Sequence, residues 1–390
     1  MSWIACTLDD ICDKVDGHIQ TGPFGSQLHQ SDYSEVGTPV VMPKDIVNGT
    51  ISEEGIARVS EEHVLRLSRH KVRTGDILFS RRGDVGRCAY ISPKEQGWLC
   101  GTGCLRVTVD AKVADSKFIF YYLQQASAID WIEKHAIGAT MLNLNTGILA
   151  TVPIMLPSLP TQRRIASILS AYDDLIENNR RQIKLLEEAA QRLYREWFVE
   201  LRFPGHESVK VVDGVPEGWM KVCLKDICET KTGKKDANFG CDDGAYPFFT
   251  CAQAPIKAPS YSFDCSAVIL AGNGDFNVKL YRGKFEAYQR TYVLSPANTE
   301  YLFLLYNAVR RNMNVLTKGA SGSTIKFLTK GMIDSIDLLI PSSQLLTTYN
   351  QNSEALQKSI EVLRRKIALA VEARDRLLPR LMNHEMEVML

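Results

Sequence analysis

Arginine clusters in one stretch of this 390-residue chain in a pattern suited to nucleic-acid chemistry. Residues 66–87 hold Arg66, Arg69, Lys71, Arg73, Arg81, Arg82 and Arg87 against Asp76 and Asp84. Arg81, Arg82, Asp84 and Arg87 flank a glycine turn that follows a β-rich run. Such a turn can project guanidiniums into a DNA groove, where the planar fork matches guanine O6 and N7. A corresponding turn later in the chain carries Asn273, Asp275, Asn277 and Lys279, followed by Gln289 and Arg290. Amides suit adenine, and lysines suit phosphate. Two polar loops also occupy matching places, QTGPFGSQLHQSDY (20–33) and ETKTGKKDANFG (229–240). The first offers Gln20, Thr21, Ser26 and Gln27, and the second Lys231, Lys234 and Lys235. Lys44 adds a cation in the first half, and KGASGSTIK (318–326) adds Ser323, Thr324 and Lys326 in the second. Each group alone also fits an ordinary solvated surface. Their recurrence at matching points of two halves favours a shared reading role.

Catalytic constellations fail. There is no Asn-Pro-Pro-aromatic tetrapeptide to hold an exocyclic amine for methyl transfer. No G-x-x-x-x-G-K-[ST] loop, G-x-S-x-G elbow or H-E-x-x-H helix occurs. Asp213 with Glu229-x-Lys231 resembles a nuclease core only loosely, and Asp213 falls in a turn-rich stretch. The ten cysteines form no C-x-x-C pair, and no His sits near Cys100 and Cys104 to complete a zinc set. No metal site is expected. Lys+Arg number 46 and Asp+Glu 45, so any nucleic-acid site must come from local asymmetry rather than net charge. A hydrophobic share of 45% with 23% charge excludes a mainly disordered chain. The start, MSWIACTLDDICDK, has no signal-peptide pattern, and no uncharged apolar run is long enough to span a membrane. Free thiols in a reducing cytoplasm are the expectation.

The elements that position these groups repeat. Trp3, Leu8, Asp10, Ile11 and Cys12 recur 216 residues on as Trp219, Leu224, Asp226, Ile227 and Cys228. Gly147 and Pro157 recur 184 residues on as Gly331 and Pro341. At that offset ten of eighteen residues match between 176–193 and 360–377, among them Ile176/Ile360, Arg180/Arg364 and Ile183/Ile367. Each half reads as a shared start, a variable α+β middle and a shared long helix. The expected boundaries are 1–158 and 219–342 for the two α+β domains, 159–200 and 343–390 for the helices with the C-terminal tail, and 201–218 for a turn-rich linker. In the first middle, 72–91 reads as strand, glycine turn and strand, 104–109 as a strand and 116–136 as one helix. The second middle repeats that order over 266–287, Thr291–Pro296 and a helix at 299–313.

After Pro157 and Pro160 a helix is expected from about Thr161 to Phe198. Ile165, Leu169, Tyr172, Ile176, Asn179, Ile183, Leu186, Ala190, Leu193 and Trp197 follow alternating steps of four and three, a heptad seam. At 1.5 Å per residue such a helix is roughly 55–60 Å long. Asn179 is either a polar gap at the seam edge or a register-fixing device. The second helix, about 344–378, carries Leu356, Ile360, Leu363, Ile367 and Leu377, with Pro379 expected to end it. The predicted architecture is α+β: two α+β domains separated by two long helices in an antiparallel coiled coil, with a pseudo-twofold internal repeat. A coiled-coil scaffold whose domains bind only proteins would share this seam. Steep salt dependence of duplex binding separates the two readings.

With these residues in view, the chain resembles the specificity subunit of bacterial type I restriction–modification enzymes. The resemblance covers nearly the whole length and is sharpest in TGPFGSQL (21–28), GDILFSRRGDVGR (75–87), residues 156–198 and VPEGW (215–219). It implies two target recognition domains, each reading one half of a split, asymmetric DNA target. It implies paired helices acting as a ruler, and no catalysis by this subunit itself. Two modification subunits would dock on it and methylate adenine with S-adenosylmethionine. Restriction subunits would add translocation and cleavage driven by ATP with Mg²⁺. Exposed docking faces would let the free subunit self-associate. The first helix opens with Gln162-Arg163-Arg164-Ile165, close to the family's basic head, whereas the second opens with SSQLLTTYNQN. That departure implies less symmetric docking.

Overall fold

The structure is a computed structural model that describes residues 3–14, 19–138, 140–320, 326–386 and 388. Two compact units divide the chain: residues 1–177 together with 367–390, and residues 178–366. Both long helices therefore contribute to both units, whereas each α+β middle lies within one.

In the first unit, Ile4–Thr7 pairs antiparallel with Pro153–Leu156. Ile19–Thr21, Cys104–Val107, Ile77–Ser80 and Cys88–Tyr90 form one antiparallel sheet in that order. A second sheet runs Leu99–Cys100, Thr38–Val41, Ala57–Val59, Tyr33–Ser34. Ile77–Ser80 is buried along its whole length, as a strand covered on both faces must be. Alternation along it splits its side chains between two cores. Ile77 and Phe79 pack with Leu105, Phe118 and Ile165, while Leu78 packs with Val41, Ala89 and Cys104. The single helix expected over 116–136 is two, Ser116–Leu123 and Ala126–His135. Asp115 caps the first through the Phe118 N–H at 2.9 Å. It stops where the N–H and side-chain amide of Gln125 both donate to the Tyr122 carbonyl, each at 3.2 Å, a local bond that competes with helix continuation.

In the second unit, Met220–Cys223 pairs antiparallel with Asp337–Ile340, matching the edge pair of the first. The main sheet runs Cys228–Thr232, Thr291–Pro296, Phe263–Ala271, Val278–Ala287, Tyr246–Phe249, Ile256–Ala258. Val268, Leu270 and Leu294 bury against Leu304, Leu305 and Ala308 of the helix Leu302–Lys318. That helix runs past the expected end at 313, and residues 299–301 form a 3₁₀ turn before it. The stretch 201–218 is anchored: Phe203 is buried, with its ring 4.6 Å from Trp219. Within it Val211–Val212 and Val215–Pro216 form a hairpin through Asp213 and Gly214, both at positive φ.

The long helices span Leu159–Phe198 and Ser343–Met382. Pro379 lies inside the second rather than ending it. A proline this close to a helix end removes one ladder bond, and the Asn383 N–H still reaches the Pro379 carbonyl at 2.9 Å. Heptad spacing selects the covered face of the first helix. Ile165, Leu169, Ile176, Asn179 and Trp197 are buried, and Tyr172, Ile183, Leu186, Ala190 and Leu193 half-buried. Leu175 and Leu185, off the seam, are 45% and 64% exposed. The second seam runs through Leu346, Tyr349, Ser353, Leu356, Ile360, Leu363, Ile367, Ala370, Arg374, Leu377 and Leu381, none of them exposed. Contacts inside each unit give the direction. In the first, Ile165 and Leu169 share a core with Leu381 and Met382, and Asp173 meets Arg374 at 2.6 Å. In the second, Glu187 meets Arg364 at 3.2 Å, and Phe198 packs edge-on against Tyr349 at 4.9 Å. Partner numbers fall as the first helix rises, so the helices run antiparallel. Asn179 is only 3% exposed, and its amide nitrogen has no partner among the described residues. It therefore sits within the seam and not at its edge. An unpartnered buried amide costs about 1–3 kcal/mol, so register rather than stability is what it can supply.

Candidate nucleic-acid interface

Four backbone segments converge at one end of the first domain's central sheet, joined by three bonds. The Gly22 N–H donates to the Cys104 carbonyl at 2.9 Å, Arg81 N–H to Gly103 at 2.8 Å, and Leu144 N–H to the Arg81 carbonyl at 2.8 Å. These bonds bring the 20–33 loop, the Arg81–Arg87 turn, the 101–103 turn and the stretch before Asn145 together. Two glycines are required here. A Cβ on Gly22 would lie 1.9 Å from the Gly101 carbonyl oxygen, and Gly83 turns the chain at φ +76°. The second domain uses the same bonds. Gly233 N–H reaches Thr291 at 3.1 Å, Gly272 N–H reaches Arg290 at 2.8 Å, and Leu328 N–H reaches Gly272 at 2.8 Å. A Cβ on Gly233 would lie 2.0 Å from the Ala287 carbonyl oxygen, and Gly274 has φ +66°. The backbone frame is shared; the side chains hung on it are not.

In the first domain, Arg82 and Ser26 are exposed, and no ion pair or side-chain hydrogen bond holds Arg82 among the described residues. Arg81 is half-buried, with its Nε covered and unpartnered. Thr21 ends its strand half-buried, and Gln27 Oε1 accepts the Phe24 N–H at 3.1 Å. That turn leaves Phe24 55% exposed at the loop tip. Lys44 is exposed and donates to the Gly55 carbonyl at 3.0 Å. The neighbouring Pro43 lies against the 101–103 turn. Two expected contact residues are turned to internal work. Gln20 accepts from the buried Arg106 at 2.8 Å, and Arg87 binds Asp84 at 3.1 Å and the Ile46 carbonyl at 3.3 Å. Arg106 also approaches the buried Asp76 at 3.8 Å. Beside them burial pushes His70 down to about 4.

In the second domain, the Asn273–Lys279 turn is tied to residues 251–253, which carry no motif. Cys251 Sγ donates to Asn273 Oδ1 at 2.9 Å, and Gln253 Nε2 to Asp275 at 2.7 Å. Asn277 Nδ2 donates to the Cys251 carbonyl at 2.9 Å, and Lys279 Nζ to the Ala252 carbonyl at 2.8 Å and to Asn277 Oδ1. Burial lowers the Lys279 pKa. Lys279 therefore braces a loop and is poorly placed as a phosphate contact; Asn277 is similarly spent, and Asn273 has its Oδ1 engaged. Lys231 pairs with Glu229 at 2.8 Å, and Lys235 lies over the Phe239 ring at 4.3 Å. Lys234, Arg290 and Lys326 are exposed. Phe327, next to Lys326, bridges to Asn273, as Asn143 does to Arg82 in the first domain. Ser323 and Thr324 lie outside the described residues.

Each domain is also pinned to the helices inside its own unit. The Tyr121 hydroxyl donates to Asp173 at 2.5 Å, and Asp115 N–H to the buried Gln162 at 2.8 Å. Burial and the Asp173 charge both push the Tyr121 pKa up. In the second unit Gln191 and Tyr349 converge on the buried Asn307 at 2.7 and 2.9 Å, and Arg310 meets Glu187 at 3.2 Å. Gln162 of the QRRI head is thus internal, while Arg163 and Arg164 are exposed. Among the described residues no three His, Cys, Asp or Glu side chains gather to hold a metal, and no helix is long and apolar enough to cross a membrane.

Similarity to known proteins follows the same two-domain division. The profile of the family described as "Type I restriction modification DNA specificity domain" matches residues 2–188 and again 216–362. The Escherichia coli type I restriction enzyme EcoDI specificity subunit is 43% identical over 149 residues, 38% of this chain and 33% of that protein. The Methanocaldococcus jannaschii type I restriction enzyme MjaIX specificity subunit is 23% identical over 379 residues, 90% of this chain and 87% of that one. In fold, the crystal structure of the type I restriction–modification S subunit from M. genitalium aligns with a TM-score of 0.60 at 17% identity, covering 100% of this chain and 97% of the other. Two matches of one family profile, each spanning an α+β middle and a long-helix segment, fall on the two halves of the internal repeat. The chain belongs to the type I restriction modification DNA specificity domain family.

Proposed function

We propose that this chain reads a split, asymmetric DNA target, one half-site per α+β domain, as the non-catalytic specificity subunit of a type I restriction–modification complex. The observation that carries this reading is the repeated frame: the same three backbone bonds hold a glycine turn at the sheet end of both domains, with different side chains on each. Arg81 and Arg82 present donors suited to guanine in the first half-site. Lys234, Arg290 and Lys326 supply cations for phosphates at the second. The paired helices fix the spacing between half-sites, and Asn179 holds their register. Two modification subunits carry S-adenosylmethionine and methylate adenine. Restriction subunits carry ATP and Mg²⁺, and the complex works in the cytoplasm. The exposed Arg163 and Arg164 fit a docking head on the first helix that the second lacks.

The test is co-purification with the neighbouring modification subunit and mapping of methylated adenines across host DNA. Methylation confined to one split motif is the expected result. A complex that methylates without a motif, or no complex at all, would overturn the reading. Lengthening the first helix by one heptad after Asn179 should widen the gap and leave both half-sites unchanged.

A further inference from the structure

We infer that Gln253 and Asp275 act together as one base reader in the second domain, selecting a base with an exocyclic amine in the major groove, with adenine the full match. This rests on the DNA-reading role proposed above. Both side chains are exposed, and they come from different loops. Their hydrogen bond, Nε2 to carboxylate at 2.7 Å, fixes the amide's orientation. A carboxylate only accepts, so the amide must turn its NH₂ toward Asp275 and its carbonyl oxygen away. The pair then offers two free acceptors, Gln253 Oε1 and the second carboxylate oxygen, beside the one remaining amide N–H.

Base edges sort against that pattern. Adenine shows an N6 donor next to the N7 acceptor, so it meets both an acceptor and the N–H. Cytosine N4 satisfies an acceptor alone. Guanine shows acceptors at N7 and O6, and thymine at O4, which face a carboxylate unfavourably. No ion pair neutralises Asp275 among the described residues. The Lys279 ammonium, which feels the Asp275 charge, is occupied by the Ala252 carbonyl and Asn277 Oδ1. The Asn277 amide ties the Cys251 and Asp275 carbonyls at 2.9 and 2.6 Å. The two loops are thus locked before DNA arrives, which lowers the ordering cost of binding.

The experiment uses the purified complex of this chain with its modification subunit and duplexes of the mapped target. Each adenine of the second domain's half-site is replaced by purine, which lacks N6, and each cytosine by 2-pyrimidinone, which lacks N4. At one position, loss of the amine should weaken wild-type binding about ten-fold or more. The same replacement should cost less than about three-fold in Gln253→Ala and Asp275→Ala. Asp275→Asn, isosteric and able to donate, should raise tolerance of guanine there, with discrimination at the first half-site unchanged in every variant. Unchanged amine dependence in all three variants would overturn this inference while leaving the DNA-reading role standing. A wild-type complex without preference for any duplex would overturn both.

Discussion

The two sheet ends differ in chemistry far more than in backbone. At the first, the turn carries guanidiniums, with Arg82 free toward solvent. At the second, the turn carries amides and a carboxylate that are bonded to an additional loop at 251–253. Yet the bonds that position the turns correspond one for one, from Gly22 and Gly233 to Leu144 and Leu328. Backbone amides and glycines do the positioning, so the side chains are released to vary. A frame of this kind can change what it reads without being refolded.

The largest effect should come from breaking the shared frame. Gly22→Ala and Gly233→Ala each place a methyl about 2 Å from a carbonyl oxygen, which no rotamer change relieves. Each should cost about 3 kcal/mol or more locally and abolish reading of its own half-site alone; methylation mapping of both variants checks this. Next, Arg81→Ala with Arg82→Ala should relax only the first half-site, at about 1–3 kcal/mol per lost base contact. Uniform weakening on all sequences would assign both arginines to phosphates. Smaller still, Lys234→Ala with Arg290→Ala should lower the slope of log affinity against log salt by about 2, leaving the motif intact. The smallest effect is acid sensitivity confined to the first domain. Folded His70 refuses a proton until about pH 4, whereas the unfolded residue accepts one near 6.5. Stability of that domain should therefore fall as pH drops from 6.5 toward 4. Thermal unfolding of His70→Gln, compared with the parent across that window, should show a shallower decline.

Elements with a period were legible in the sequence. Heptad steps picked out the covered face of both long helices, and the 184-residue offset paired Gly147 with Gly331 and, as the structure adds, Leu144 with Leu328. Glycine turns flagged both sheet ends because positive φ restricts residue choice. Side-chain commitments were not legible. Gln20 is claimed by Arg106, 86 residues away, and Asn273 by Cys251, 22 away in an unremarkable stretch. Nothing local distinguishes an amide that will bond inward from one that will face solvent. The break at Gln124–Gln125 was missed because a side chain competing for one carbonyl leaves hydrophobic spacing intact. The helix continued past Pro379 because a proline in a terminal turn removes little.

The split of the chain has a consequence for its birth on the ribosome. Residues 178–366 are contiguous, so that unit can close as soon as they emerge. The earlier unit cannot: Leu381 and Met382, both 2% exposed, complete the core around Ile165 and Leu169. The half that is made first must therefore wait, its apolar surface uncovered, until residues 367–382 are translated. Nascent chains stalled near residue 366 should expose that surface to chaperones, and emergence of residues 367–382 should end the exposure.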